Sequence, residues 1–126
     1  MSEHTLAVKI PGPDHPITIE ATGARVVVTV NGRPLADTRN ALTLREAAYP
    51  PVQYIPRDDV DMTRLARSAH ASYCPYKGSA SYYSVDDGDG RRVDAVWSYE
   101  LPHDAVKQIA GHLAFYPDRV DSIAIG

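Results

Sequence analysis

The sequence predicts a β-rich domain of short antiparallel strands with one helix in its C-terminal half. Three observations support this class. Apolar runs are short and rich in β-branched residues, as in RVVVTV at residues 25–30. The ten prolines fall between these runs rather than within them, which favours strands separated by fixed turns. A single helical apolar stripe occurs late in the chain, at residues 105–113.

Length and composition indicate one globular domain covering residues 1–126. The net charge of −3 gives no basic face for nucleic acid. No window approaches the ~18 apolar residues of a membrane span, and the N-terminus lacks a signal-peptide pattern. We therefore expect a soluble cytoplasmic protein without nucleic-acid or membrane partners. The sequence predicts no cofactor and leaves the oligomeric state open.

The first third of the chain predicts a meander. Asn31-Gly32 is the strongest short hairpin signal, because both residues tolerate positive φ. Pro34, in the returning strand, cannot donate a ladder hydrogen bond and should lie at a strand start or edge. The strands are expected at residues 17–20, 25–30, 33–38 and 40–46.

The middle of the chain predicts a capped helix and a second hairpin. Asp61 is a candidate N-cap for a short helix over residues 62–66. A strand at residues 70–76 is interrupted by Pro75, and the acidic, glycine-containing run 86–90 reads as a hairpin loop. Cross-strand pairing would give the flanking strands one shared face, consisting of Ala80, Tyr82, Val93, Ala95, Trp97 and Tyr99.

The last quarter predicts the helix and a final strand pair. Pro102 suits a first helical turn, and Gly111 is a plausible C-terminal stop. Residues 113–116 and 120–125 should then pair around a turn at residues 117–119.

The reactive groups concentrate in residues 73–83, which hold the only cysteine and half of the eight tyrosines. Cys74 could be a nucleophile whose thiolate is favoured by Lys77 or His70. The alternative is that Cys74 is a small buried apolar residue. Lys77 next to Gly78 could also hold an anion, or could be a solvated turn lysine.

Polar-tipped aromatic residues predict a pocket wall. Glu46, at the end of a strand, could act as a base or as a partner for an arginine, or could be a surface charge. The acidic run 86–90 lacks the downstream glutamate of a calcium loop, so no metal site is predicted. The residues that could line a pocket for a ring-bearing ligand, or fill the core instead, are Tyr54, Tyr76, Tyr82, Trp97 and Tyr99.

The order of motifs resembles a bacterial family known as domain of unknown function 427, also labelled nucleotidyltransferase-like. The Cys-Pro-Tyr-Lys-Gly run at residues 74–78 is its most specific element here. The resemblance extends from about Arg25 to the end of the sequence. The other matching elements are residues 31–32, 36–38, 44–46, 49–50, 53–56, 95–99, Pro102, 114–116 and 120–121.

The resemblance implies two small antiparallel sheets leaning together, similar to the β-tent arrangement. Relatives of that arrangement often carry a four-cysteine zinc site, which a chain with one cysteine cannot form. Nucleotidyl transfer usually needs a phosphate-cradling Gly-Ser element and paired metal-binding acids, and neither is evident in the sequence. The sequence therefore predicts that an inter-sheet pocket binds a small ring-bearing or anionic molecule. An enzyme with Cys74 as nucleophile and a nucleotidyltransferase are the alternatives.

Overall fold

A computed structural model describes residues 6–126 of the protein, and in this range the chain is mainly β, as the sequence predicts. Short 3-10 helices are found at Arg57–Asp59, Met62–Arg64, Asp104–Ile109 and Pro117–Arg119. The strands are β1 (Ile17–Ala21), β2 (Val26–Val30), β3 (Arg33–Thr38), β4 (Leu42–Glu46), β5 (Val52–Tyr54), β6 (Leu65–Cys74), β7 (Gly78–Asp86), β8 (Arg91–Ser98), β9 (Ala114–Phe115) and β10 (Ser122–Ile125).

The strands form three antiparallel sheets, with the orders β1-β4-β5, β10-β2-β3 and β6-β7-β8-β9. The expectation of two sheets is therefore wrong. The predicted meander ends after β3, because β4 pairs with β1, where Leu44 lies opposite Ile19. Leu44 of β4 and Val28 of β2 belong to different buried clusters, so β4 packs on a separate part of the core from β2.

Both predicted hairpins are confirmed. Asn31 and Gly32 have φ values of 53° and 73° and connect β2 to β3. In the acidic loop between β7 and β8, the amide of Gly88 donates to Asp86 Oδ1 at 2.9 Å. Local turn chemistry determines both connections, because glycine and short polar side chains stabilise left-handed or self-bonded turns.

The predicted C-terminal helix is wrong, and a six-residue 3-10 segment at Asp104–Ile109 takes its place. The segment is broken at Val106, whose φ of −127° is not helical. Both ends are tied to other elements: His103 N donates to Lys77 O, and Gly111 N donates to Tyr99 O. No helix within residues 6–126 has the length and apolar character needed to cross a membrane.

The other short helix and the last two strands also differ from expectation. Asp61 does cap a helix, accepting from Thr63 N, but that helix ends at Arg64 and β6 begins at Leu65. β9 pairs with β8 and β10 pairs with β2, so the last two strands do not pair with each other. The turn at Pro117–Arg119 separates them, and the Asp121 amide then donates to Thr29 O, which brings β10 to β2.

The buried apolar residues form two clusters. One contains Val28, Tyr83 and Ala95, and the other contains Tyr54, Tyr82 and Tyr99. The residues predicted to share one face of β7 and β8 are therefore divided between the two clusters and the surface. Asp94 has a φ of 51° and lies at a register shift between the strands, which breaks the alternation along β8. As a result Ala95 joins the first cluster, and Val93 is 63% exposed.

Candidate functional site

An apolar cleft of about 870 Å³ is lined by residues from all three sheets. Val52, Gln53 and Ile55 line it from β5 and the residue after it, and Ile123 and Ile125 line it from β10. The other lining residues are Val28, Glu46, Tyr49, Pro50, Pro51, Cys74, Lys77, Trp97, Phe115 and Pro117. Because its walls come from separate sheets, the cleft forms only when these sheets pack together.

A second cavity of about 180 Å³ lies against the cleft. Both cavities are lined by Glu46, Tyr49, Pro50, Val52, Lys77 and Trp97. The smaller cavity, here called the inner pocket, is closed by Leu44, Tyr54, Tyr82, Tyr99 and Tyr116. The walls thus change from mostly aliphatic in the cleft to tyrosine-rich in the inner pocket.

Glu46, at the end of β4, is held by the side chains of Lys77 and His15. Lys77 Nζ donates to Glu46 Oε1, and His15 Nε2 lies 2.7 Å from Glu46 Oε2. The side chains of Glu46 and Lys77 are only 11% and 13% exposed. Burial raises the pKa of Glu46, but the hydrogen bonds from Lys77 and His15 outweigh it and hold that pKa below its ordinary value. Glu46 is therefore a carboxylate at neutral pH.

The turn after β6 positions Lys77. The amide of Lys77 donates to Cys74 O at 3.2 Å, which closes a tight bend around Pro75. Gly78 follows with a φ of 113°, a conformation that side chains other than glycine rarely adopt. The bend directs the ammonium of Lys77 toward Glu46 and places it 5.7 Å from the centre of the Tyr99 ring.

His15 is a site residue that the sequence did not reveal. A short turn joins Gly12 and His15 through two backbone hydrogen bonds, and the imidazole stacks on Tyr76 with ring centres 3.8 Å apart. Lys9 N also donates to Pro75 O, so residues 9–15 lie across the bend that carries Lys77. His15 is 31 positions from Glu46, and no local spacing connects them.

Ring contacts and a hydrogen bond link aromatic residues of the inner pocket. Trp97 Nε1 donates to the hydroxyl of Tyr54 at 3.3 Å, and the Trp97 ring lies 4.5 Å from that of Tyr116. Burial raises the pKa of Tyr54 and of Tyr99, and it raises the pKa of Tyr116 to about 12. All three hydroxyls therefore remain protonated at neutral pH.

The structure brings together most of the predicted site residues. Glu46, Lys77 and Trp97 line both cavities, whereas Cys74 lines only the cleft. Tyr54, Tyr82 and Tyr99 line only the inner pocket, and they also belong to the second buried cluster.

Two of the residues considered lie outside both cavities. Tyr76 stacks on His15 and lines neither cavity. The exposed His70 packs on Tyr82 with ring centres 4.3 Å apart and is also absent from the cavity walls. Val52 and Tyr116 are lining residues that the sequence did not indicate. Val52 follows two prolines and Tyr116 lies between the end of β9 and Pro117, so neither belongs to a periodic pattern that would indicate a pocket.

These observations define a β-rich domain with an apolar cleft and a buried ion pair at its inner end. The chain belongs to the family described as a domain of unknown function, DUF427, whose model matches residues 18–126. The match confirms the family resemblance and extends it to include most of β1. A search of curated proteins finds no significant match.

Proposed function

We propose that the cleft binds a small, largely apolar molecule. The observation that carries this proposal is the size and lining of the cleft: about 870 Å³, walled mainly by aliphatic and aromatic side chains. Ligand sites are typically cavities of roughly 300–1,000 Å³ that combine apolar walls with a few fixed polar groups. Glu46 and Lys77 are such groups, since each restrains the other.

The rim of the cleft supports the same proposal. Tyr49 and Ile125 both line it, and these residues are 66% and 55% exposed. Large apolar side chains grouped around a concavity indicate a binding surface more often than isolated ones do. A ligand that covers them would remove apolar area from water, which is favourable by roughly 25 cal/mol per Å².

The uncharged dye N-phenylnaphthylamine tests the proposal. Trp97 is the only tryptophan and lines the cleft, so energy transfer from Trp97 to the dye reports binding to the domain, and variants of the cleft wall locate it. We expect saturable energy transfer in the wild-type protein. Ile125→Glu should weaken binding at least about fivefold, because it places a charge in the apolar wall.

Val93→Glu is the matched control. Val93 is an exposed strand residue like Ile125, 63% accessible, but it does not line either cavity. It should bind the dye as the wild type does. Absence of saturable energy transfer, or equal weakening in both variants, would refute the proposal.

A second candidate is an enzyme with Cys74 as nucleophile. Cys74 is partly buried and lines the cleft together with Lys77, to which the turn connects it. Nucleophilic catalysis by cysteine uses the thiolate, which is the reactive form. The candidate predicts that iodoacetamide labels Cys74 near neutral pH faster than it labels free glutathione. Labelling at the glutathione rate or slower would exclude an activated thiol.

Nucleotidyl transfer, which the family's other label suggests, has less support. Glu46 is the one carboxylate among the described residues that line the cleft, and Lys77 and His15 already occupy both of its oxygens. Metal-assisted phosphoryl chemistry generally uses paired acids. Calorimetric titration with ATP and Mg²⁺ tests this alternative, which requires measurable heat of binding.

A further inference from the structure

The inner pocket presents hydrogen-bond donors that no acceptor within residues 6–126 uses. Lys77 Nζ carries three N–H groups, and Glu46 is its one hydrogen-bond acceptor within residues 6–126. Tyr54 accepts the indole N–H of Trp97 at 3.3 Å, so its own hydroxyl proton is still available to donate. A ligand group that enters this pocket should therefore be an acceptor.

Among the described residues, the charged side chains that line the inner pocket are one cation, Lys77, and one anion, Glu46. The positive charge of Lys77 is matched by Glu46, which the second contact with His15 keeps ionised. A carboxylate ligand would have to approach Glu46, and placing like charges close together in a poorly hydrated site is unfavourable. An uncharged acceptor meets the same donors without that repulsion.

From these two features we infer that the inner pocket takes the carbonyl oxygen of a ligand whose apolar body occupies the cleft. The shared wall of Glu46, Lys77 and Trp97 lets one molecule extend through both cavities. This inference rests on the proposed function and specifies the ligand class: an apolar ketone, aldehyde or amide rather than a carboxylic acid or a pure hydrocarbon.

Three naphthalene derivatives of similar size test the head group. They are 2-acetylnaphthalene, 2-naphthoate and 2-ethylnaphthalene, which offer a carbonyl, a carboxylate and no acceptor. Binding is measured through quenching of Trp97 fluorescence at pH 7. A satisfied neutral hydrogen bond changes affinity by about two- to tenfold, so the ketone should bind tighter than the other two by at least about threefold.

The tyrosine hydroxyls provide matched variants. Tyr54→Phe or Tyr99→Phe should reduce the affinity for 2-acetylnaphthalene about two- to tenfold and leave that for 2-ethylnaphthalene unchanged. Tyr83→Phe is the control, because Tyr83 is as buried as Tyr99 (both 7% exposed) but belongs to the other cluster and lines neither cavity. Thermal unfolding of each variant verifies that the fold is retained.

The outcomes separate this inference from the proposed function. If all three compounds bind equally, or 2-naphthoate binds most tightly, the carbonyl preference is refuted while binding in the cleft stands. If the ketone is preferred but Tyr54→Phe and Tyr99→Phe leave its affinity unchanged, the assignment to the inner pocket is refuted. If none of the three quenches Trp97 saturably, the proposed function fails, and the inference fails with it.

Discussion

Removal of the Lys77 ammonium should destabilise the fold in a pH-dependent manner. Lys77→Met keeps most of the side-chain volume but leaves Glu46 with His15 as its remaining partner in residues 6–126. Breaking a buried ion pair from one side costs about 3–5 kcal/mol. Because the pair is about one-tenth exposed and His15 remains in contact, we expect a loss of about 2–3 kcal/mol at pH 7. This corresponds to a fall of roughly 6–15 °C in Tm.

The pH dependence follows from the lowered pKa of Glu46. A carboxylate with a lowered pKa in the folded state stabilises the fold above its unfolded pKa, and that stabilisation is lost as the pH falls through the folded pKa. Without Lys77 the ionised carboxylate is poorly compensated, but protonated Glu46 needs no cation. The difference between wild type and Lys77→Met should therefore be large at pH 7 and decrease below about 1 kcal/mol near pH 3.

Urea unfolding followed by Trp97 fluorescence measures this difference at each pH. Lys107→Met, which removes an exposed lysine from a 3-10 segment, is the control and should stay within about 0.5 kcal/mol of wild type. The double variant Glu46→Gln/Lys77→Met should recover at least about 1 kcal/mol relative to Lys77→Met, because no unpaired charge remains. A pH-independent difference, or no recovery in the double variant, would refute this account of the pair.

Two further stability measurements test the turn and the core. Gly32→Ala should lower the free energy of unfolding, measured in urea, by about 1–2 kcal/mol, because Gly32 has a φ of 73°. The control is Gly12→Ala, at another glycine with open space around it, which should be close to neutral. Equal losses in the two variants would contradict the argument from the turn. Leu113→Ala should lower the free energy of unfolding by about 2–5 kcal/mol, because Leu113 is fully buried. The control is Leu101→Ala, at a residue that is 91% exposed, which should change stability by less than about 0.5 kcal/mol. A similar loss in both variants would argue against the assigned core.

Local chemistry made several elements predictable from the sequence. Asn31-Gly32 determines a hairpin because its left-handed turn matches the twist of the flanking strands. Asp61 was recognisable as a cap because its side chain bonds an amide two residues later. In both cases the interacting groups are neighbours in the sequence.

Elements that depend on distant contacts were less predictable. The apolar stripe after Pro102 suggested an α-helix, but only Val106 and Ile109 of the 3-10 segment are buried. Their spacing of three suits a 3-10 turn, and the backbone bonds of His103 and Gly111 to other elements fix its ends. Tertiary contacts thus override a helical pattern here.

The candidate site was predictable in composition but not in arrangement. Within the cluster of reactive and aromatic residues at positions 73–83, Cys74 and Lys77 line the cleft, and the other lining residues come from elsewhere in the chain. The pairing of Glu46 with Lys77 depends on β4 pairing with β1 rather than continuing the sheet of β2 and β3. The contact of Glu46 with His15 depends on the irregular turn between Gly12 and His15. Neither event has a signature in residue spacing.

The pairing of β10 with β2 has a consequence for how the protein folds. β2 and β3 can form a hairpin early, but the other edge of β2 stays open until Ser122–Ile125 arrive from the far end of the domain. Contacts between residues so distant in sequence slow folding, because a large loop must close before they form. During that interval the valine-rich edge can pair with another chain, so recovery after denaturation should fall as the protein concentration rises.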